Sequence, residues 1–307
     1  MIPIKVLDEV APLEAVVLGT ARSFGGPPSL DEAYDPKTIY HIRRGTYPLE
    51  EDLLPEMQAF AEVLIKYNVK VYRPELIDNY NQIFSRDIGM VIDDKFLVSR
   101  ILKNRKEEIT GIQYILDQVA PDKVVRVDSD ARFEGGDIMP WNGKIFAGYS
   151  KQKDFEKYVV SRTNQAGIDF LISEFPDWEV HAFELKKSDD DPFENALHLD
   201  CCFQPLGKGK AIIYPGGFKN QDDVDFLTDF FGRDNVFYIT KEEMYNMNSN
   251  VFSISPEVVV SEENFLRLNT QLREWDFVVE EIPYAETAKM EGLFRCSTLP
   301  LRRNYDA

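Results

Sequence analysis

Cysteine and histidine are scarce in this chain, with three of each among 307 residues. Two of the cysteines are adjacent (Cys201, Cys202) and the third is Cys296, too few and too unevenly placed for a disulfide framework. That usage points to a reducing, cytoplasmic setting, in which one cysteine with a distant histidine is a candidate nucleophile. No Cys/His cluster has zinc spacing. There is neither a Walker loop nor a dinucleotide fingerprint, so no metal and no organic cofactor is expected. Apolar runs fall short of the roughly 20 residues that span a bilayer. The opening MIPIKVLDEV lacks the basic and apolar regions of a secretory signal. Positive charge is also in short supply: 35 basic against 53 acidic side chains leave a formal net charge of -18. Such a charge disfavours nucleic acid and anionic membranes as partners and suits solubility or a cationic ligand.

Aromatic residues are plentiful, and 21 Phe with 14 Tyr indicate a packed globular body. The length allows one large domain or two small ones. A recurring pattern favours a single domain over residues 1–307. DIGMVID (87–93) and KFLVSR (95–100) are strand-like runs around a turn, KEEITGIQYILDQVA (106–120) has helical periodicity, and KVVRVDS (123–129) is another strand. The same order returns in GGDIMPW, KIFAGYS, NQAGIDFLISEF and WEVHAFEL, in HLDCCFQPL, KAIIYPG, DDVDFLTDFFG and NVFYITK, and in NVFSISP, EVVVS, ENFLRLNTQLREW and FVVEEIP. A fifth unit closes from the two ends: AVVLGTA (15–21) with STLPLRR (297–303), completed by the helical EEDLLPEMQAFAEVLIKY (50–67) and VKVYRPE (69–75). Five strand-strand-helix-strand units in a ring would bury their apolar faces around a pseudo-fivefold axis. An ordinary three-layer α/β sheet is the alternative that this order also permits.

Polar residues recur at one phase of the repeat, where each first hairpin begins: FSRD (84–87), FEGGD (133–137), HLD (198–200), NSN (248–250) and FRC (294–296). Taken singly they are unremarkable. Asp87 could pair with Arg86, Gly135-Gly136 could form a bulge, His198 could be structural, and Cys296 could be a small buried hydrophobe. Converging near the axis, however, buried carboxylates call for a cationic partner.

In this order, FSRD, FEGGD, HLD, SNVFSI and FRCSTLPLRR resemble the guanidino-group-modifying superfamily of arginine deiminases, dimethylarginine dimethylaminohydrolases and arginine:glycine amidinotransferases. PLEAVVLG (12–19) and FRCSTLPLRR resemble the amidinotransferase branch most. The resemblance implies the five-bladed α/β propeller (pentein) fold, and a small guanidino substrate that is attacked by Cys296 through a covalent amidino intermediate. It implies His198 as acid and base, with Glu134 or Asp137 orienting it or contacting substrate, and Asp87 and Asp200 holding the guanidinium nitrogens. Arg105 is a candidate for a substrate carboxylate, with Arg43, Arg44 and Lys289 as lesser ones, and Asn250 is a further substrate-binding candidate. Amidinotransfer is the expected reaction and hydrolysis to a ureido product the alternative. A non-catalytic binding protein on the same propeller is the remote one.

A guanidinium is planar and permanently charged, so fixed carboxylate acceptors suit it. The chain departs from relatives at Arg295, where histidine is frequent, at the single Gly292 where they carry a glycine-rich run, and at Glu291, where a deiminase tends to place an arginine. A carboxylate at Glu291 could face an amino group of the substrate. Cys201 and Cys202 read as packing, Arg302 and Arg303 as structural or surface residues. The segments 22–48 and 285–295 are candidate loops over the site, and a homodimer is one option for the assembly.

Overall fold

The computed structural model describes residues 1–127 and 129–306; Asp128, within the KVVRVDS run, and Ala307 lie outside them. Its strands form five three-stranded sheets. The first sheet takes β1 (Leu13–Leu18) and β2 (Lys70–Tyr72), and the second takes β3 (Gly89–Ile92), β4 (Lys95–Val98) and β5 (Val124–Arg126). The third holds β6 (Ile138–Trp141), β7 (Lys144–Tyr149) and β8 (Glu179–Glu184), and the fourth β9 (Phe203–Leu206), β10 (Lys210–Ile213) and β11 (Val236–Tyr238). The fifth holds β12 (Phe252–Ser255), β13 (Val258–Glu262) and β14 (Val278–Ile282), and β15 (Thr298–Arg303) returns to complete the first. Every sheet repeats one pairing. Its middle strand (β1, β4, β7, β10 or β13) runs antiparallel to one neighbour and parallel to the other. A parallel neighbour needs a crossover, and helices 50–66, 165–174, 221–231 and 266–274 supply it in four of the five units. This is the pseudo-symmetric five-bladed α/β propeller expected from the repeats, including the blade closed from both ends.

Two local expectations change. The run 106–120 is not one α-helix: Lys103–Ile112 is a 3₁₀ helix and only Gln113–Leu116 is α. Tertiary ties override helical periodicity there. Arg105 and Glu108 are bound into the site, and the Gly111 carbonyl accepts from the amide of Glu75 at 2.7 Å. The segment 22–48 contains the helix Pro36–Arg44. Asp35 accepts the Thr38 amide as N-cap, Pro36 starts the helix, and Gly45 at φ 65° ends it. Among the described residues no helix is long and apolar enough to cross a membrane.

Fully buried Phe60, on helix 50–66, meets Phe252, Tyr284 and Phe294 edge-on. It thereby braces the segment that carries Cys296.

Candidate active site

The strands β3, β6, β9, β12 and β15 are the equivalent edge strands, and each is entered through one of the polar turns. The turns bond to one another around the axis. The Arg86 amide donates to the Cys296 carbonyl at 3.0 Å, and the Arg295 amide to the Asn250 carbonyl at 3.4 Å. Ser249 Oγ donates to the Asp200 carbonyl at 2.8 Å, and the Leu199 amide to Asp137 Oδ1 at 3.0 Å. The sequence folds this way because each turn's apolar neighbours go into the blades, leaving the polar residues to satisfy one another.

A cavity of about 390 Å³ opens at these turns, and Asp87, Arg105, Glu134, His198 and Cys296 share its wall. His198 is buried, with Nε2 2.9 Å from Glu134 Oε2 and Nδ1 3.9 Å from Asp87 Oδ1. Burial opposes a charge on the ring. Asp87, Glu134 and Asp137 overcome it and raise the His198 pKa to about 9, which makes the ring an imidazolium at neutral pH. Burial likewise opposes the Glu134 carboxylate, yet Arg162 and His198 hold its pKa down to about 2. Asp87 Oδ1 is buried with no hydrogen-bond partner.

Cys296 is gripped from both ends by one side chain. Its amide donates to Asn250 Oδ1 at 3.1 Å, and Asn250 Nδ2 lies 3.2 Å from its sulfur. The thiol donates to Asp200 Oδ2 at 3.5 Å. Burial, then Asp200 and Asp87, push its pKa well above the usual thiol range. Arg295 pulls the other way without overcoming them. It is fully buried, with Glu9 at 3.0 and 3.1 Å and Asp200 at 2.9 Å neutralising it.

The sequence-derived set therefore divides. Asp137, Asp200 and Asn250 lie behind the cavity wall rather than on it. Asp137 holds the Leu199 amide and accepts from Thr163 Oγ1 at 2.6 Å, and Asp200 holds Arg295 and the thiol. Asn250 holds the amide and the sulfur of Cys296. Asp87 pairs with Arg105 Nη1 at 2.7 Å, not with Arg86. Arg105 also spends its donors on Glu108, at 2.6 and 2.9 Å, and on the Phe84 carbonyl, so it offers no free fork to a carboxylate. Arg303 is fully buried against the Ala11 and Ser253 carbonyls, whereas Arg302 pairs with Glu14 nearer the surface. Cys201 and Cys202 are buried thiols whose pKa values burial drives well above the usual range, which fits packing.

Ligand atoms of Asp87, Glu134 and His198 lie within 4.8 Å of one another. A protonated ring, the Arg105 guanidinium on Asp87 and Arg162 3.9 Å from Glu134 already supply the positive charge there. Asp87 Oδ1 is left as a free acceptor, which suits a single N–H better than a divalent ion.

The sequence reading missed Arg162, Glu108 and Asp35. Arg162 lines the cavity at 3 % exposure, with Nε and Nη1 lacking partners. A usable signal was SRTN (161–164), a wholly polar run that precedes an apolar helix and is buried throughout. The Gly135-Gly136 pair makes room for the ring: a β-carbon on Gly136 would sit 2.6 Å from His198 Cγ and Nδ1. Gly136→Ala is therefore expected to displace the imidazole and lower kcat about 100-fold, with the far-ultraviolet spectrum retained; steady-state kinetics beside circular dichroism checks it.

Comparison with known proteins agrees with this arrangement. The sequence model of the family N,N dimethylarginine dimethylhydrolase, eukaryotic, matches residues 38–301. The chain belongs to this family. It is 26 % identical to YkgA of Bacillus subtilis over 247 residues, covering 79 % of this chain and 78 % of that one. It is 25 % identical to the bifunctional arginine dihydrolase/ornithine cyclodeaminase AgrE of a Nostoc species over 228 residues, 71 % of this chain but 29 % of AgrE. Among solved structures, the amidinotransferase SxtG of Microseira wollei superposes with a TM-score of 0.77 at 20 % identity, covering 99 % of this chain and 98 % of SxtG. The N-terminal domain of the cyanobacterial arginine dihydrolase ArgZ, bound to product, gives 0.76 at 19 % identity over 94 % of this chain and 97 % of that one. The family thus lies within the guanidino-modifying enzymes, on their common propeller fold.

Proposed function

We propose that this protein is a cysteine-dependent enzyme of guanidino compounds. The reading rests above all on one cavity that brings the Cys296 thiol together with a His198–Glu134 pair and an unpartnered carboxylate oxygen of Asp87. The entering guanidinium donates to Asp87 and brings the positive charge that the thiol lacks, so substrate binding itself favours the thiolate. The thiol releases its proton to solvent, and the sulfur bonds to the central guanidinium carbon. The carbon–nitrogen bond to the leaving amine breaks as His198 delivers its proton to that nitrogen. In the second half a nucleophile gives its proton to the neutral ring, attacks the same carbon and releases the sulfur. Asp137, Asp200 and Asn250 position these groups, and the unpartnered Nη1 of Arg162 suits a carboxylate on the substrate.

With water as nucleophile the product is a ureido compound. Membership of a dimethylhydrolase family favours this outcome. Transfer to an amine, favoured by the resemblance at both chain ends, shares the first half-reaction. Intact-mass spectrometry of enzyme quenched with arginine or N,N-dimethylarginine, with product analysis, tests the reading. It expects an adduct on Cys296 and either citrulline or a new guanidine. Enzyme that forms neither adduct nor product with any guanidine would refute it.

The elevated thiol pKa makes a further prediction. At pH 7 a neutral haloacetamide should alkylate Cys296 slowly, with a rate that climbs with pH and is still climbing beyond the ordinary thiol range. Chloroacetamidine, cationic like the substrate, should react faster at pH 7. Equal rates for the two reagents would argue against ionisation assisted by the substrate's charge.

A further inference from the structure

Glu291 is a buried carboxyl on the cavity wall that the chemistry above leaves unused. It stands five residues before Cys296 and is 5 % exposed, with a left-handed backbone at φ 62° that glycine would adopt more cheaply. Asn195 Nδ2 donates to its Oε1 at 2.6 Å, fixing the side chain, while Oε2 has no partner. Asp35, 4 % exposed and also on the wall, lies within hydrogen-bonding reach of it. One oxygen of Asp35 caps the helix Pro36–Arg44. Lys37 is a buried cation whose charge acts on Glu291, and its Nζ donates to the Tyr245 carbonyl.

Two adjacent buried carboxyls cannot both ionise without a compensating cation. Burial, then Asp35, push the Glu291 pKa far above the carboxylate range despite Lys37, so Glu291 retains a proton. A primary ammonium ion can displace that proton, pair with the charge and donate to the open Oε2. The cavity then has two places for cations: Asp87 beside Cys296 for the guanidinium, and Glu291 with Asp35 for a second charge.

Building on the reading as a guanidine-modifying enzyme, we propose that Glu291, supported by Asp35, is the receptor for an ammonium group on the substrate's tail. The substrate class is thus an aminoalkyl guanidine, with or without a carboxylate for Arg162. Glu291 acts on specificity and takes no part in bond breaking.

Three probes separate the groups. Arginine carries amine and carboxylate, 4-aminobutylguanidine the amine alone, and 5-guanidinopentanoate the carboxylate alone. The wild-type enzyme is expected to favour the two amines by kcat/KM. In Glu291→Gln, which keeps the shape and the contact with Asn195, the ratio of kcat/KM for arginine to that for 5-guanidinopentanoate should fall roughly 10- to 100-fold, mostly through KM. An unchanged ratio, or a loss confined to kcat, overturns the proposal. A second measurement does not depend on turnover. Butylamine should protect Cys296 from alkylation by iodoacetamide in the wild type and protect at least tenfold less well in Glu291→Gln. Protection that depends on Glu291 supports the receptor even if no guanidine is turned over, in which case only the reading as a guanidine enzyme fails. Equal protection in both proteins counts against the receptor whatever the enzyme turns over.

Discussion

Replacing Cys296 by serine is expected to reduce turnover of every guanidine substrate by about 10⁴-fold or more, as loss of a nucleophile typically does. The effect follows from the surroundings of the sulfur. His198 is not a free base beside the thiol, because its ring is protonated at neutral pH. The thiol relies on the substrate's charge to ionise. A serine hydroxyl starts several pKa units higher, and the same charge leaves it protonated. The change is nearly isosteric and both contacts with Asn250 can persist, so substrate should still bind. Stopped-time product assays at enzyme concentrations near the substrate's, with calorimetric titration of the variant, would check this. Turnover within tenfold of wild type would remove Cys296 from the chemistry and with it the covalent route. A variant that neither binds nor turns over would point instead to a collapsed site.

His198→Asn should lower kcat by roughly 10²- to 10⁴-fold, the usual span for a positioned acid and base, and should also change how stability responds to pH. Asp87, Glu134 and Asp137 outweigh the cost of burial and raise the His198 pKa from 6.5 to about 9. A raised histidine pKa means that folded protein holds the proton more tightly than unfolded chain. The stabilisation is complete below pH 6.5 and is lost as pH rises through about 9. Urea titrations of wild type across that interval should show a decline in stability, and the asparagine variant should show a flatter profile. The same decline in both proteins would mean that the ring is neutral in the folded state, and the proposed proton delivery to the leaving amine would lose its source. The Glu134 carboxylate, held down to about 2, stays ionised throughout and does not contribute to the change.

Much of this architecture is readable without coordinates because its signals are local. Period-two apolar alternation, turn residues and helical spacing repeat five times, and strand pairing follows from hydrophobic faces that only neighbouring units can cover. Cys296, His198, Glu134 and Asp87 were recognisable for a related reason. Each occupies the same phase of its unit, so a ring closes them on one axis. Phase does not determine which way a side chain points inside a turn. Asp200 and Asn250 share the phase of their partners, but the hydrogen-bond needs of Arg295 and of the Cys296 amide turn them away from the cavity. Arg105 was visible, but its occupation by Asp87 and Glu108 was not, since the three meet only when Lys103–Ile112 coils against the second blade.

The amino-acid sequence by itself determined the five-unit propeller, its closure through β1 and β15, and the kinds of chemical group that gather at its centre. These depend on short-range patterns and on the burial of apolar faces, which the order of residues specifies directly. Tertiary structure alone decided which groups face the cavity, which nitrogens of Arg162 are left open, and that Glu291 and Asp35 stand side by side though 256 positions separate them in the chain. It also set the protonation of Cys296, His198 and Glu291. A pKa inside a protein reflects burial and the charges brought near, and neither exists until the blades have closed.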